Sequence, residues 1–210
     1  VCSSDLTTTE TDSQGKTTKT TKTSYVDGKK SSTKVKDGNG NVLKTTTYSY
    51  NAAGQLKEAK SIKSNGQTVT IEYDTKTGNK ISSTTRNSND QIVSTTKYDT
   101  KTGKKMSKLV NDYNSDGTIK YKRSYSYDSE GKVKTRILTD AKGNPISNST
   151  YYHNENGSML RTDRDPSTGE VKGTKLFEYN SDGSKKATTT KDAKGNVTAE
   201  QEFSYYASGI

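Results

Sequence analysis

Apolar and polar side chains alternate along most of this chain. After Gly117 one side of the alternation carries Ile119, Tyr121, Arg123, Tyr125 and Tyr127, and the other carries Thr118, Lys120, Lys122, Ser124 and Ser126. Val42, Lys44, Thr46, Tyr48 and Tyr50 repeat the scheme, as do Val197, Ala199, Gln201, Phe203 and Tyr205. A period of two is that of a strand with one covered and one wet face. No stretch shows a 3.6-residue period with caps, so no helix is expected.

The alternating stretches are separated by turn signals at regular intervals. From Gly131 the turn glycines fall at Gly143, Gly157, Gly169, Gly183, Gly195 and Gly209, spaced 12, 14, 12, 14, 12 and 14. One strand and turn thus takes about 13 residues, and two give a period of 26. Asn89-Asp90 fills the gap between Gly78 and Gly103. Asp or Asn opens most turns, where its side chain can bond backbone N–H groups further on, and Gly closes them with positive φ. Asp74 to Gly78, Asp99 to Gly103 and Asp165 to Gly169 are a longer form of the same device. Short strands joined by short turns pair antiparallel, because parallel strands need long crossovers. The expectation is an all-β, antiparallel β-hairpin repeat array of about fourteen to sixteen strands, one per turn interval, forming a single-layer or coiled sheet. Both turn spacings are even, which would keep the Tyr-bearing face in phase from strand to strand.

Composition narrows what such an array can do. Val, Ile, Leu and Phe number 27 of 210 residues, about 13%, and Trp is absent. That is too little for a compact enzyme core. No apolar run reaches the roughly 20 residues of a membrane-spanning helix. Thr (34) and Tyr (14) are strand formers and Pro is only 2, which argues against plain disorder. Local composition marks three segments. Residues 1–6, with the lone Cys2, match no repeat unit and resemble a translated sequencing-adapter end, so they are set outside the fold and expected to touch nothing. Residues 7–36 are low-complexity, Thr/Lys-rich, degenerate repeats. Residues 37–210 are the repeat array, read as a fragment of a longer chain.

Two turn classes alternate. One follows Tyr, as in Tyr50-Asn51, Tyr127-Asp128 and Tyr179-Asn180, with Gly four residues after the Tyr; the other reads Asp140-Ala141-Lys142-Gly143-Asn144. This pattern resembles the YD repeats of Rhs-type and teneurin-like surface proteins, over roughly 40–205. The Arg that comes after the turn Gly in that family is replaced here by Lys, Ser, Thr or Gln, and the period is longer. The resemblance implies a secreted or surface location in a bacterium and a β-sheet strip, with further repeats of the same chain as its neighbours.

Candidate chemistry is sparse. His153 is the only His and occupies the Tyr slot of its turn, so it reads as a turn residue. One His and one Cys exclude a Cys/His metal set, and no cofactor is implied. Asp37-Gly38-Asn39-Gly40 resembles the opening of a Ca²⁺ loop but lacks its later ligands. The candidate ligand face is the Tyr ladder: Tyr48, Tyr50, Tyr121, Tyr125, Tyr127, Tyr152, Tyr179 and Tyr205. The net charge of +10 comes mostly from Lys, with Arg, the residue suited to phosphate, only 5. Nucleic-acid binding is therefore expected to be weak and unspecific. The function expected is a non-catalytic structural or adhesive segment. The alternative is a module that uses the Tyr/Lys face to bind carbohydrate, such as cell-wall or host polysaccharide, or another anionic polymer.

Overall fold

The computed structural model describes residues 2–205. Among them every regular element is a strand. Two compact units divide between Met106 and Ser107. The first holds β1 (Ser3–Thr11), β2 (Thr17–Val26), β3 (Lys29–Asp37), β4 (Val42–Tyr50), β5 (Leu56–Lys63), β6 (Thr68–Tyr73), β7 (Lys80–Arg86) and β8 (Ile92–Tyr98). The border falls inside β9 (Lys105–Tyr113). The second unit continues with β10 (Ile119–Tyr127), β11 (Val133–Asp140), β12 (Pro145–His153), β13 (Met159–Arg164), β14 (Val171–Tyr179), β15 (Lys185–Asp192) and β16 (Val197–Glu202). Within each unit the pairing is antiparallel between consecutive strands, and each strand contacts only its neighbours in sequence. The strand array matches the expected fold class.

The turns are built as their residues dictate. In the turn Asn180 to Ser184, the Gly183 N–H donates to the Asn180 carbonyl at 2.9 Å and the Asn180 N–H to the Ser184 carbonyl at 2.8 Å. Gly183 sits at φ +82°. This is a type I turn closed by a bulge whose first residue is left-handed. The Asx side chain adds bonds of its own. Asp37 Oδ1 accepts the N–H groups of Asn39 (2.9 Å) and Asn41 (2.8 Å), and its Oδ2 accepts from Asn41 Nδ2 (3.0 Å). The carboxylate that resembles a Ca²⁺ ligand is thus occupied by its own turn. Asp90, at φ 61°, holds the left-handed position that Gly fills elsewhere. The turn expected at Gly209 lies outside the described residues.

Tracing cross-strand partners assigns two faces in each unit. In the first, one face carries Tyr48, Ala59, Ile71 and Ser83 in a row, each directly opposite the next. In the second, one face carries Tyr125, Arg136, Ser149, Asp163 and Gly173. We refer to these as the aromatic faces. The buried residues on strands lie there: Ala59, Thr46 and Thr96 in the first unit, Ser149 and Thr188 in the second. They are small, because a single sheet can cover only what a ring or long side chain lies across. Ala59 is flanked by Tyr48 and Ile71, and Thr188 stands opposite Phe177. Hydroxyl pairs add cross-strand bonds. Thr46 Oγ1 and Ser61 Oγ are 2.8 Å apart on the aromatic face of the first unit, and Ser126 Oγ and Thr135 Oγ1 are 2.6 Å apart on the opposite face of the second. Such pairs contribute roughly 0.2–1 kcal/mol each.

One expectation needs correction. Residues 3–6 do not stand apart: Ser3 to Leu6 pair in register with Val26 to Thr23, and the Cys2 N–H donates to Asp27 Oδ1 at 3.1 Å. Backbone pairing needs no apolar side chain, so a segment foreign to the repeat pattern still finishes the strand; Val1 lies outside the described residues. The low-complexity residues 7–36 run through strands β1 to β3.

Candidate functional site

The Tyr slot ends a strand, and contacts with the preceding hairpin place its ring. In β4, Tyr50 is the last residue before the turn at Asn51, and its hydroxyl donates to the Lys30 carbonyl at 2.9 Å. Lys29 Nζ lies 5.8 Å from the centre of the same ring. The ring therefore bends along the sheet over the start of β3. Lys80 and Tyr98 repeat the arrangement at 5.7 Å, a cation–π contact. Burial pushes the phenols of Tyr50, Tyr73 and Tyr98 up, with neighbouring Tyr48 adding to the effect at Tyr50 and Tyr73.

His153 does the same work as the tyrosine it replaces. Its Nε2 lies 2.9 Å from the Val133 carbonyl, 20 residues back, as Tyr50 lies 20 residues from Lys30. A carbonyl only accepts, so Nε2 carries the proton. His153 and Tyr127 border a cleft of ≈ 730 Å³ at one rim of the second unit, walled by the turns at Asp128 and Asn154.

The expected Tyr ladder divides. Tyr48, Tyr50, Tyr121, Tyr125, Tyr127 and Tyr179 are half-buried. Tyr48 and Tyr50 belong to the aromatic face of the first unit; Tyr121, Tyr125, Tyr127 and Tyr179 belong to that of the second, where register shifts precede Tyr127 and Tyr179. Tyr205 lies beyond β16 and is 58% exposed. Tyr152 is the misplacement. It stands opposite Leu160, on the face away from Tyr125, and is 66% exposed. Because His153 fills the Tyr slot, Tyr151 shares its parity and Tyr152 points the other way. Adjacent tyrosines cannot share one face of a strand.

Sequence reasoning missed the polar pairs within the aromatic face. Arg123 Nε donates to Asp112 Oδ2 at 2.9 Å, and its Nη2 to Oδ1, a bidentate pair between β10 and β9. Arg161 grips Asp163 at 3.0 and 2.7 Å, and the other oxygen of that carboxylate accepts from Ser149 Oγ at 2.6 Å. The signal was the parity of Arg123, which alternates in phase with Tyr121 and Tyr125. Among the described residues no group of three His, Cys, Asp or Glu is placed to hold a metal ion.

No protein-family model matches this chain, and neither does any curated protein. Similar solved structures include the crystal structures of TcdB2-TccC3-Cdc42 and of TcdB2-TccC3. The identities are 15% and 16% and the TM-score is 0.28 in both. They cover 89% and 91% of this chain, which spans only 13% and 14% of theirs. Likeness at that TM-score carries no argument about what this chain does.

Proposed function

We propose that this chain is a non-catalytic structural repeat segment of a secreted or surface-exposed bacterial protein. One observation carries the reading: residues with chemical potential are spent on the repeat itself. Turn carboxylates such as Asp37 and Asp165 accept backbone N–H groups of their own turns. The His takes the role of a rim Tyr. Catalytic groups are unique to a site, whereas these recur with the period. The YD-like residues support the surface location and the bacterial source.

Excision of one period tests the structural part. Deleting residues 128–153 joins Tyr127 to Asn154 and preserves the slot, the turn and Gly157. A spacer of interchangeable units should still fold, keep a strand-type far-UV CD spectrum, and show a denaturant slope reduced with the surface lost. An unfolded or aggregated product would show that the second unit is a unique closed domain. Protease shaving of intact source cells tests the location, since a surface segment is cleaved before the cells lyse.

A further inference from the structure

The face opposite the aromatic one was expected to be the wet one, and one row on it departs from that rule. Tyr152, Leu160, Leu176, Thr189 and Glu200 stand directly opposite one another on five consecutive strands, β12 to β16. They point to the same side because antiparallel partners do. From Leu160 to Glu200 the row floors a groove of ≈ 470 Å³, with Thr174, Lys191 and Val197 along it. Tyr152, 66% exposed, stands beside Leu160 just past the groove, where it also borders the rim cleft at Asp128.

The rows on either side are mostly polar, with Ala187 and Val197 the exceptions. Thr135, Thr150, Thr162 and Thr174 form a hydroxyl ladder next to it. On the other side Glu178, Ala187 and Glu202 stand in line. An apolar track one side chain wide, flanked by hydroxyls and carboxylates, does not suit a lipid or a second apolar sheet, which would need apolar flanks. The carboxylates of Glu178, Glu200 and Glu202 repel an anionic polymer. What fits is a chain with apolar ring faces and hydroxyl edges. Strands lie about 4.7–4.9 Å apart, close to the advance of one sugar in an extended β-linked glycan. We propose that this row binds a linear, uncharged, β-linked polysaccharide laid across the strands, roughly one sugar per strand. The ring faces stack on Tyr152, Leu160 and Leu176. The hydroxyl edges bond to the Thr ladder on one side and to Glu200 and Lys191 at the far end.

A spacer can carry such a track or lack it, so this inference and the structural reading fail independently. The test is isothermal titration of the whole chain with cellohexaose and with the β-1,4-linked hexamer of N-acetylglucosamine. At least one should bind, with an affinity insensitive to salt, since no phosphate or carboxylate is neutralised. Tyr152→Ala should weaken binding about tenfold, equivalent to roughly 1.4 kcal/mol. Glu200→Gln should weaken it less. Gln201→Ala, on the other face of β16, should leave it unchanged. Tyr152 is exposed, so its removal leaves the fold intact, and far-UV CD checks this. Failure of wild type to bind either hexamer overturns the proposal, as does undiminished binding by Tyr152→Ala. Self-association of wild type that Tyr152→Ala abolishes would overturn it too, assigning the row to a second copy of the chain.

Discussion

The bulge position of each turn offers a direct test of what holds the array in register. Gly183 has φ +82°, and a Cβ built on it meets nothing within 4 Å. Any cost of Gly183→Ala therefore comes from the backbone and not from a clash. A left-handed L-residue costs about 1–2 kcal/mol. Against this, Ala has a less mobile unfolded chain than Gly, worth about 0.4–1 kcal/mol. The net loss should be about 1 kcal/mol. Asp tolerates the left-handed region through local hydrogen bonding, and the chain already uses it at Asp90, φ 61°. Gly183→Asp should thus cost less than Gly183→Ala. At Asp90 the same order should appear from the other direction. Asp90→Ala should lose about as much as a strained Ala, whereas Asp90→Gly should stay within about 0.5 kcal/mol, relief of strain offsetting greater unfolded-chain freedom. The Arg86 Nη1 bond to the Asp90 carbonyl, 2.7 Å, survives both substitutions. The Arg86–Asp90 side-chain contact at 3.8 Å is exposed and adds little. Urea melts monitored by far-UV CD give the values, provided the slope m is constant across the set. If Gly183→Ala unfolds with wild type, or Asp fares no better than Ala at that position, the turn's positive φ is not what sets the cost.

The same geometry sets three other outcomes. His153→Tyr should match wild type in urea, because Tyr50 makes the equivalent bond, whereas His153→Ala should lose roughly 0.5–1.5 kcal/mol for the missing hydrogen bond. Tyr125→Ser should destabilise more than Lys122→Ser, by about 1–3 kcal/mol, since Tyr125 lies on the aromatic face; equal losses would mean the second unit has no preferred face. The Asp165 carboxyl is held down at about 2, from 3.8, first by Lys172 and then by the N–H groups of Ser167 and Thr168. A carboxyl depressed on folding adds stability that is complete above 3.8 and lost as pH falls toward about 2. The turn carboxyls of Asp37, Asp74, Asp99 and Asp192 are lowered in the same direction by their own turns. The urea midpoint should accordingly fall over that acid window, less steeply in Asp165→Asn, and a flat profile would contradict the turn bonds.

The turns and strands were legible because their causes are local. An Asx residue, a Gly three or four places on and alternation between them decide a hairpin within a dozen residues, and the structure places a strand in each such interval among the described residues. The role of His153 was legible for the same reason, since its slot is defined by the Gly157 just after it. Which residues meet was not legible in that way. The partner of Tyr152 depends on how the turn from Asn154 to Ser158 closes, and its neighbours on the other side depend on the register shift at Leu138 and Thr139. The pairing of Ser3 to Leu6 with β2 comes from backbone groups that every sequence carries, so no side-chain pattern announces it. The Arg123–Asp112 pair needs the β9–β10 register, and the row from Tyr152 to Glu200 arises only after several registers are set in succession. Local residue types settle where the chain turns and which side chains alternate; which of them stand face to face follows only from the pairing, because cross-strand neighbours are set by the accumulated geometry of every hairpin between them.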